Sequence, residues 1–167
     1  NQYFSDPTLD YVYKTHIEIY GNKMGGIFIA KRINDTIHRM VLTTDFGNKL
    51  LDFEVSESSF KVNFIIDNVD KKIIINTLRD DFRTLLQVNS KVFKTYKRNN
   101  EVIYQTENNA YYYFDQVSSN LTKIIKTNKR KEKVIFTFNP KKTTFAENIN
   151  IQHNNIKLKI DFNQINN

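Results

Sequence analysis

The chain has no cysteine and no tryptophan, and only two prolines and four glycines among 167 residues. Without cysteine, disulfides, thiolate metal sites and thiol nucleophiles are excluded. Both prolines, Pro7 and Pro140, are read as lying outside strands, where a missing N–H does no harm. No apolar run approaches the ~18 residues that span a membrane as a helix, and no signal peptide is read. The opening NQYFSDPTLD is compatible with a leader already removed. Three of the glycines fall in GNKMGG (21–26), which lacks phosphate-loop spacing and joins two strand-like runs, so it reads as a hairpin. The three histidines, His16, His38 and His153, are scattered and read as surface or packing residues. No metal and no cofactor is expected.

Hydrophobic residues make up 40% of the chain and charged residues 26%, the balance of an ordinary globular protein, and 1–167 is read as one domain. The formal charge of +7 points to an anionic partner, either nucleic acid or a lipid surface.

Most of the sequence alternates. IKLKIDF sets Ile156, Leu158, Ile160 and Phe162 on one side and Lys157, Lys159 and Asp161 on the other; KLLDFEV does the same with Leu51, Phe53 and Val55. A period of two with one apolar face is a half-buried antiparallel strand. Similar runs recur from YVYKTHIEIY (11–20) to ENINIQ (147–152), separated by short turns such as DFGN, RNN and HNN. Links this short join neighbouring strands as hairpins. The fold class is therefore mainly β: a meander of about eleven or twelve strands that curls into an incomplete, unclosed antiparallel barrel.

One segment breaks the pattern. Ile74, Leu78, Phe82, Leu85 and Leu86 recur at helical spacing, which predicts an amphipathic helix near 68–88, capped by Asp67, Asn68 or Asp70. The triple isoleucine at 73–75 leaves a strand reading open for its first residues. Lys71, Lys72, Arg79, Asp80, Asp81 and Arg83 are assigned to its polar face. The apolar stripe is expected to cover the mouth of the curved sheet as a lid.

Little in the chain suggests catalysis. Asp80 and Asp81 are helix neighbours that point apart, so they read as a solvated face and not as a paired acid and base. NDT (34–36) and NLT (120–122) match a glycosylation pattern that arises readily by chance in an asparagine-rich chain. KTNKRKEK (126–133) reads as a basic hairpin tip and YYYF (111–114) as an aromatic run, a pairing that single-stranded nucleic acid can use. Alternation sends one pair of those rings toward the core, so a nucleic-acid partner is not expected, and the chain is read as a non-enzyme. A third reading is a container. Phe28, Phe53, Phe60, Phe64, Phe136, Phe138, Phe145 and Phe162 occupy inward positions, and a barrel of this strand number can enclose an apolar cavity suited to acyl chains.

The order of features resembles the bacterial lipoprotein-localisation family of LolB and, more distantly, LolA. RMVLTTDFGNKLLDFEV (39–55) has the shape of that family's third and fourth strands, with Asp45-Phe46-Gly47 at the hairpin tip. YKTHIEIYGNKMGGIFIAKRI precedes it at compatible length, and ENINIQHNNIKLKIDF resembles the closing strand pair. The chain departs from the family in showing no helix before Tyr11, in carrying Asp45 where the tip has proline, in lacking tryptophan, and in having a single lid helix.

The resemblance implies an apolar cavity for lipoprotein acyl chains and a LolA-like periplasmic partner. It also implies a monomer on the periplasmic side of the outer membrane, anchored through a cysteine upstream of Asn1. Phe46 with Gly47 would be the tip that enters outer-membrane lipid. Lys126, Lys129, Arg130, Lys131 and Lys133 are expected to hold the protein near anionic headgroups. The rivals are a general lipid-binding protein and, last, a basic nucleic-acid-binding β-domain.

Overall fold

The computed structural model describes residues 1–129 and 131–165; Arg130, one of the basic residues singled out above, lies outside the described residues. Twelve strands form one antiparallel sheet: β1 (Asp10–Ile19), β2 (Asn22–Arg32), β3 (His38–Thr43), β4 (Lys49–Val55), β5 (Phe60–Ile65), β6 (Val92–Arg98), β7 (Glu101–Thr106), β8 (Ala110–Asp115), β9 (Leu121–Asn128), β10 (Lys131–Lys142), β11 (Phe145–His153) and β12 (Leu158–Gln164). Between β5 and β6 lie a 3-10 turn, Asp67–Val69, and the helix α1, Lys72–Leu86.

The strand order is β5-β4-β3-β2-β1-β12-β11-β10-β9-β8-β7-β6. Each strand thus lies beside its chain neighbours, and the first pairs with the last. The cycle breaks only between β5 and β6, where α1 is inserted. This is an up-and-down barrel left open along one seam, mainly β with one inserted helix, as the alternation indicated.

The alternation does the sorting. Tyr11, Tyr13, Thr15, Ile17 and Ile19 of β1 are buried, as are Phe28 and Ala30 of β2, and Leu158, Ile160 and Phe162 of β12. At Gly26 (φ 154°) a Cβ would sit 1.8 Å from the Thr43 carbonyl oxygen, so only glycine lets β3 approach β2 there.

Four local expectations are corrected. Pro140 lies inside β10, not outside a strand. It sits at a bulge against β11, beyond Thr137, the last β10 residue paired with β9, so its missing N–H breaks no ladder. The segment Ile73–Ile75 is helical, and α1 starts after Lys71 with no side-chain cap from Asp67, Asn68 or Asp70. Asp81 is buried and not solvated. It lies three residues after Leu78 and four before Leu85, hence on the apolar stripe itself. Phe64 is 42% exposed, because β5 is an edge strand whose register against β4 shifts between Asp52 and Phe53.

The residues before β1 form turns, not a helix, yet Tyr3 and Phe4 are fully buried. Tyr3 donates its hydroxyl to the Leu121 carbonyl at 2.8 Å, and His38 Nε2 bonds the Phe4 carbonyl at 2.8 Å.

Candidate functional site

The inward row of the sheet and the stripe of α1 meet in an aromatic interior. Phe28, Phe53, Phe136 and Phe162 are buried, and Phe138 nearly so. Phe82 of α1 sits among them, with ring centroids 6.0 Å from Phe28 and 6.4 Å from Phe53; Phe28 and Phe162 meet edge-on at 5.0 Å. Phe138 stacks on Tyr3 at 5.2 Å, and Phe60 leans on Phe53 at 5.0 Å while remaining half-buried. Phe145 is half-buried against Tyr11 and Tyr13. Ile74, Leu78, Leu85 and Leu86 complete the helix's buried stripe. The space expected as an apolar cavity is therefore filled by the lid helix and the first residues of the chain. Phe64, turned outward on β5, takes no part in it.

Polar contacts fasten α1 chiefly toward its C-terminal half. Arg83 donates through Nε to the Ser56 carbonyl at 2.9 Å and through Nη2 to the Ser59 carbonyl at 3.3 Å. Asn1 Nδ2 donates to the Leu85 carbonyl at 2.7 Å. Deeper in, Asp81 Oδ2 and His153 Nε2 are 2.7 Å apart, and each side chain is 2% exposed. Burial pushes the Asp81 carboxyl above its ordinary value, against the opposing pull of the His153 hydrogen bond. His153, read from the sequence as a surface or packing residue, shares the inward face of β11 with Ile149 and Ile151; its pairing with Asp81 had no signal in the sequence.

The N-terminal half of α1 stands over a cavity of about 510 Å³. Ile73, Val134 and Ile156 give it apolar walls; Asn76, Asp80, Asn155 and the lysines Lys72, Lys126 and Lys133 make it polar. Lys126 is half-buried beneath the helix and donates to Thr84 Oγ1 at 3.0 Å. It is thus part of this cavity and not of the exposed basic tip to which the sequence reading assigned it. Burial pulls its ammonium below the ordinary lysine value, while Asp80 and Asp81 pull it back. Lys133 also lines the cavity, whereas Lys129, in the β9–β10 turn, and Lys131, the first residue of β10, are exposed.

The β3–β4 tip is a tight turn. Gly47 N–H donates to the Thr44 carbonyl at 3.0 Å, and Gly47 takes φ 86°, which suits glycine. Lys14 holds Asp45 in an ion pair. Phe46 between them is 96% exposed, more than any other large hydrophobic side chain among the described residues. Antiparallel alternation puts the β1–β2, β3–β4, β9–β10 and β11–β12 turns at one end of the sheet. Phe46, Lys129 and Lys131 therefore share that end with Tyr20 and Asn155, which line the cavity.

No group of three or more His, Cys, Asp or Glu side chains among the described residues could hold a metal ion. No helix among them is long and apolar enough to cross a membrane.

No protein-family model matches the chain, and no curated protein matches it. Among solved structures, the crystal structure of a DUF1329 family protein from Desulfovibrio piger has a similar fold, with a TM-score of 0.50 at 7% identity, over 94% of this chain and 83% of that one. At that identity the likeness is one of fold alone.

Proposed function

We propose that the protein is a non-enzymatic, LolB-like carrier that takes lipoprotein acyl chains beneath α1 and delivers them to outer-membrane lipid. The observation that carries this reading is a wide, unclosed barrel whose aromatic interior is plugged by one amphipathic helix. When α1 moves out, Phe28 and Phe53 lose the ring of Phe82, and an acyl chain replaces it at ~0.8 kcal/mol per buried methylene. Exchange of one apolar occupant for another keeps the net cost small, which suits a carrier that must also release its cargo.

The same end of the sheet carries the delivery surface. Phe46 is presented to solvent on a braced turn, and Lys129 and Lys131 add positive charge at the same end of the sheet. A LolA-like carrier on the periplasmic side of the outer membrane is the partner that would hand over cargo.

The test is transfer of a radiolabelled triacylated lipoprotein from its complex with this protein to outer-membrane lipid vesicles, with Phe46→Glu in parallel. Wild type is expected to bind and deliver. The tip variant is expected to bind the lipoprotein, unfold at the same urea concentration, and deliver about tenfold more slowly or worse, as loss of an apolar membrane contact requires. Failure of the wild type to bind the lipoprotein sinks the carrier reading, and binding of free fatty acid alone leaves a general lipid-binding protein. Normal delivery by the variant removes the tip from the mechanism.

A further inference from the structure

The cavity under the first turns of α1 holds more positive charge than the fold uses. Lys126 Nζ meets a neutral acceptor, Thr84 Oγ1, at 3.0 Å. The carboxylates nearest it are engaged elsewhere: Asp80 with Arg79 at 3.0 Å, and Asp81 with His153 at 2.7 Å. Among the described residues, Lys72, Lys126 and Lys133 form no ion pair, yet all three line one cavity of about 510 Å³. Asp80 and Asp81 line the same cavity and draw on Lys126, but each is already bonded to another partner, so three ammoniums share two committed carboxylates. An anion placed beside a half-buried ammonium offsets the cost of its burial.

Besides the two committed carboxylates, the lining carries amide and apolar groups that suit an anionic oxygen group with a chain attached. Asn76 Oδ1 already accepts from Arg79 Nη1 at 3.0 Å, which leaves its Nδ2 to donate, and Asn155 stands at the rim. Ile73, Val134 and Ile156 supply apolar wall. Val134 is also the first of the inward row Val134, Phe136, Phe138 on β10, so the cavity adjoins one end of the apolar interior. A volume in the range of ordinary ligand sites, ~300–1,000 Å³, leaves room for a head group and its first methylenes.

We propose that this cavity binds the anionic head, carboxylate or phosphate, of an acyl-bearing ligand whose chain enters the interior beneath α1. The tail's place rests on the carrier reading; the head site stands on the lysines alone. Asp80 and Asp81 remain with Arg79 and His153 when the anion enters, so the lining meets it with the charge of Lys72, Lys126 and Lys133.

Calorimetric titration of the full chain with decanoate, 1-decanol and inorganic phosphate tests this. Decanoate is expected to bind about tenfold or more tightly than 1-decanol, and phosphate to weaken decanoate binding. Lys126→Met with Lys133→Met is expected to abolish that preference, and Lys133→Gln alone, which leaves the Lys126–Thr84 hydrogen bond in place, to reduce it should the double variant fail to fold. Equal affinity of the wild type for decanoate and 1-decanol overturns the head site, as does a preference that survives in a folded lysine variant. Phosphate binding that the lysine variants lose, with neither amphiphile binding, upholds an anion site and overturns only the acyl-chain reading. Binding of neither phosphate nor decanoate overturns both.

Discussion

His153 Nε2, at the end of β11, lies 2.7 Å from Asp81 Oδ2 in the middle of α1, and this buried bond fastens the lid helix to the sheet. The apolar stripe of α1 accounts for its burial but not for its register. A directional bond between two side chains that are each 2% exposed fixes where along the sheet the helix rests.

Removing the carboxylate should loosen that placement. The Nδ1 of His153 is buried without a partner, so Asp81→Ala leaves both ring nitrogens unmatched and is expected to cost about 2–3 kcal/mol. Asp81→Asn retains a partner and lacks the charge. Since burial raises the folded-state pKa of Asp81, the folded protein holds its proton more tightly than the unfolded chain. Wild-type stability relative to Asp81→Asn should therefore fall as pH rises from the ordinary carboxylate value, ~3.9, to the raised one, and be level outside that window. Urea denaturation of both proteins from about pH 3 to about pH 7 measures it; a constant difference across the range would contradict the shift.

Phe82 is the side chain through which the lid fills the barrel. Phe82→Ala removes the ring that contacts both Phe28 and Phe53 and is expected to cost about 3–4 kcal/mol. The same change should increase uptake of an environment-sensitive apolar dye by the folded protein. A loss below about 1 kcal/mol with no added dye binding would mean that the interior collapses onto the vacancy or never depended on the ring.

Asp52 offers an independent acid-range prediction. This buried carboxylate accepts from Arg39 Nε at 3.1 Å and Nη2 at 2.9 Å, from Lys49 Nζ at 2.8 Å and from Asn63 Nδ2 at 3.3 Å. The Arg39 guanidinium, with Lys49 and Asn63 after it, holds its pKa far below the usual carboxylate range despite burial. Its contribution is therefore complete above the unfolded-state value, ~3.9, and declines as pH falls from there toward the folded-state value. Asp52→Asn is expected to cost about 2 kcal/mol near neutrality, and the deficit should shrink on acidification. Urea midpoints across the acid range check both, and a deficit that does not change with pH would refute the assignment.

Most strands were legible because they have one face in and one face out, a period of two; the edge strands β5 and β6 bury no residue and were legible from their sequence alternation and turns alone. The helix was legible for the same reason at its own period. What was misread came from sorting residues by charge before position. Asp81 sits at stripe spacing from Leu78 and Leu85, and Lys126 shares an inward face with Ile124, yet both were assigned to solvent because they are charged. Phe64 failed the other way: it has the parity of an inward residue, but an edge strand with a shifted register does not keep parity with the sheet. Tyr3 and Phe4 carry no periodicity, so nothing local could show that the opening turns bury both rings in the interior. Phe46 was visible as a large ring in a turn; its full exposure required the geometry of the Thr44–Gly47 hydrogen bond and the neighbouring ion pair of Asp45.

The seam between β5 and β6 changes what sets the size of the interior. A closed barrel has a bore fixed by strand number and stagger, and it can widen only by tearing a ladder. Here no ladder joins β5 to β6 among the described residues, and the chain connects the two through α1. The wall can spread like a collar on its button: no strand pairing is given up, and the gauge of what fits inside is set by where the helix rests.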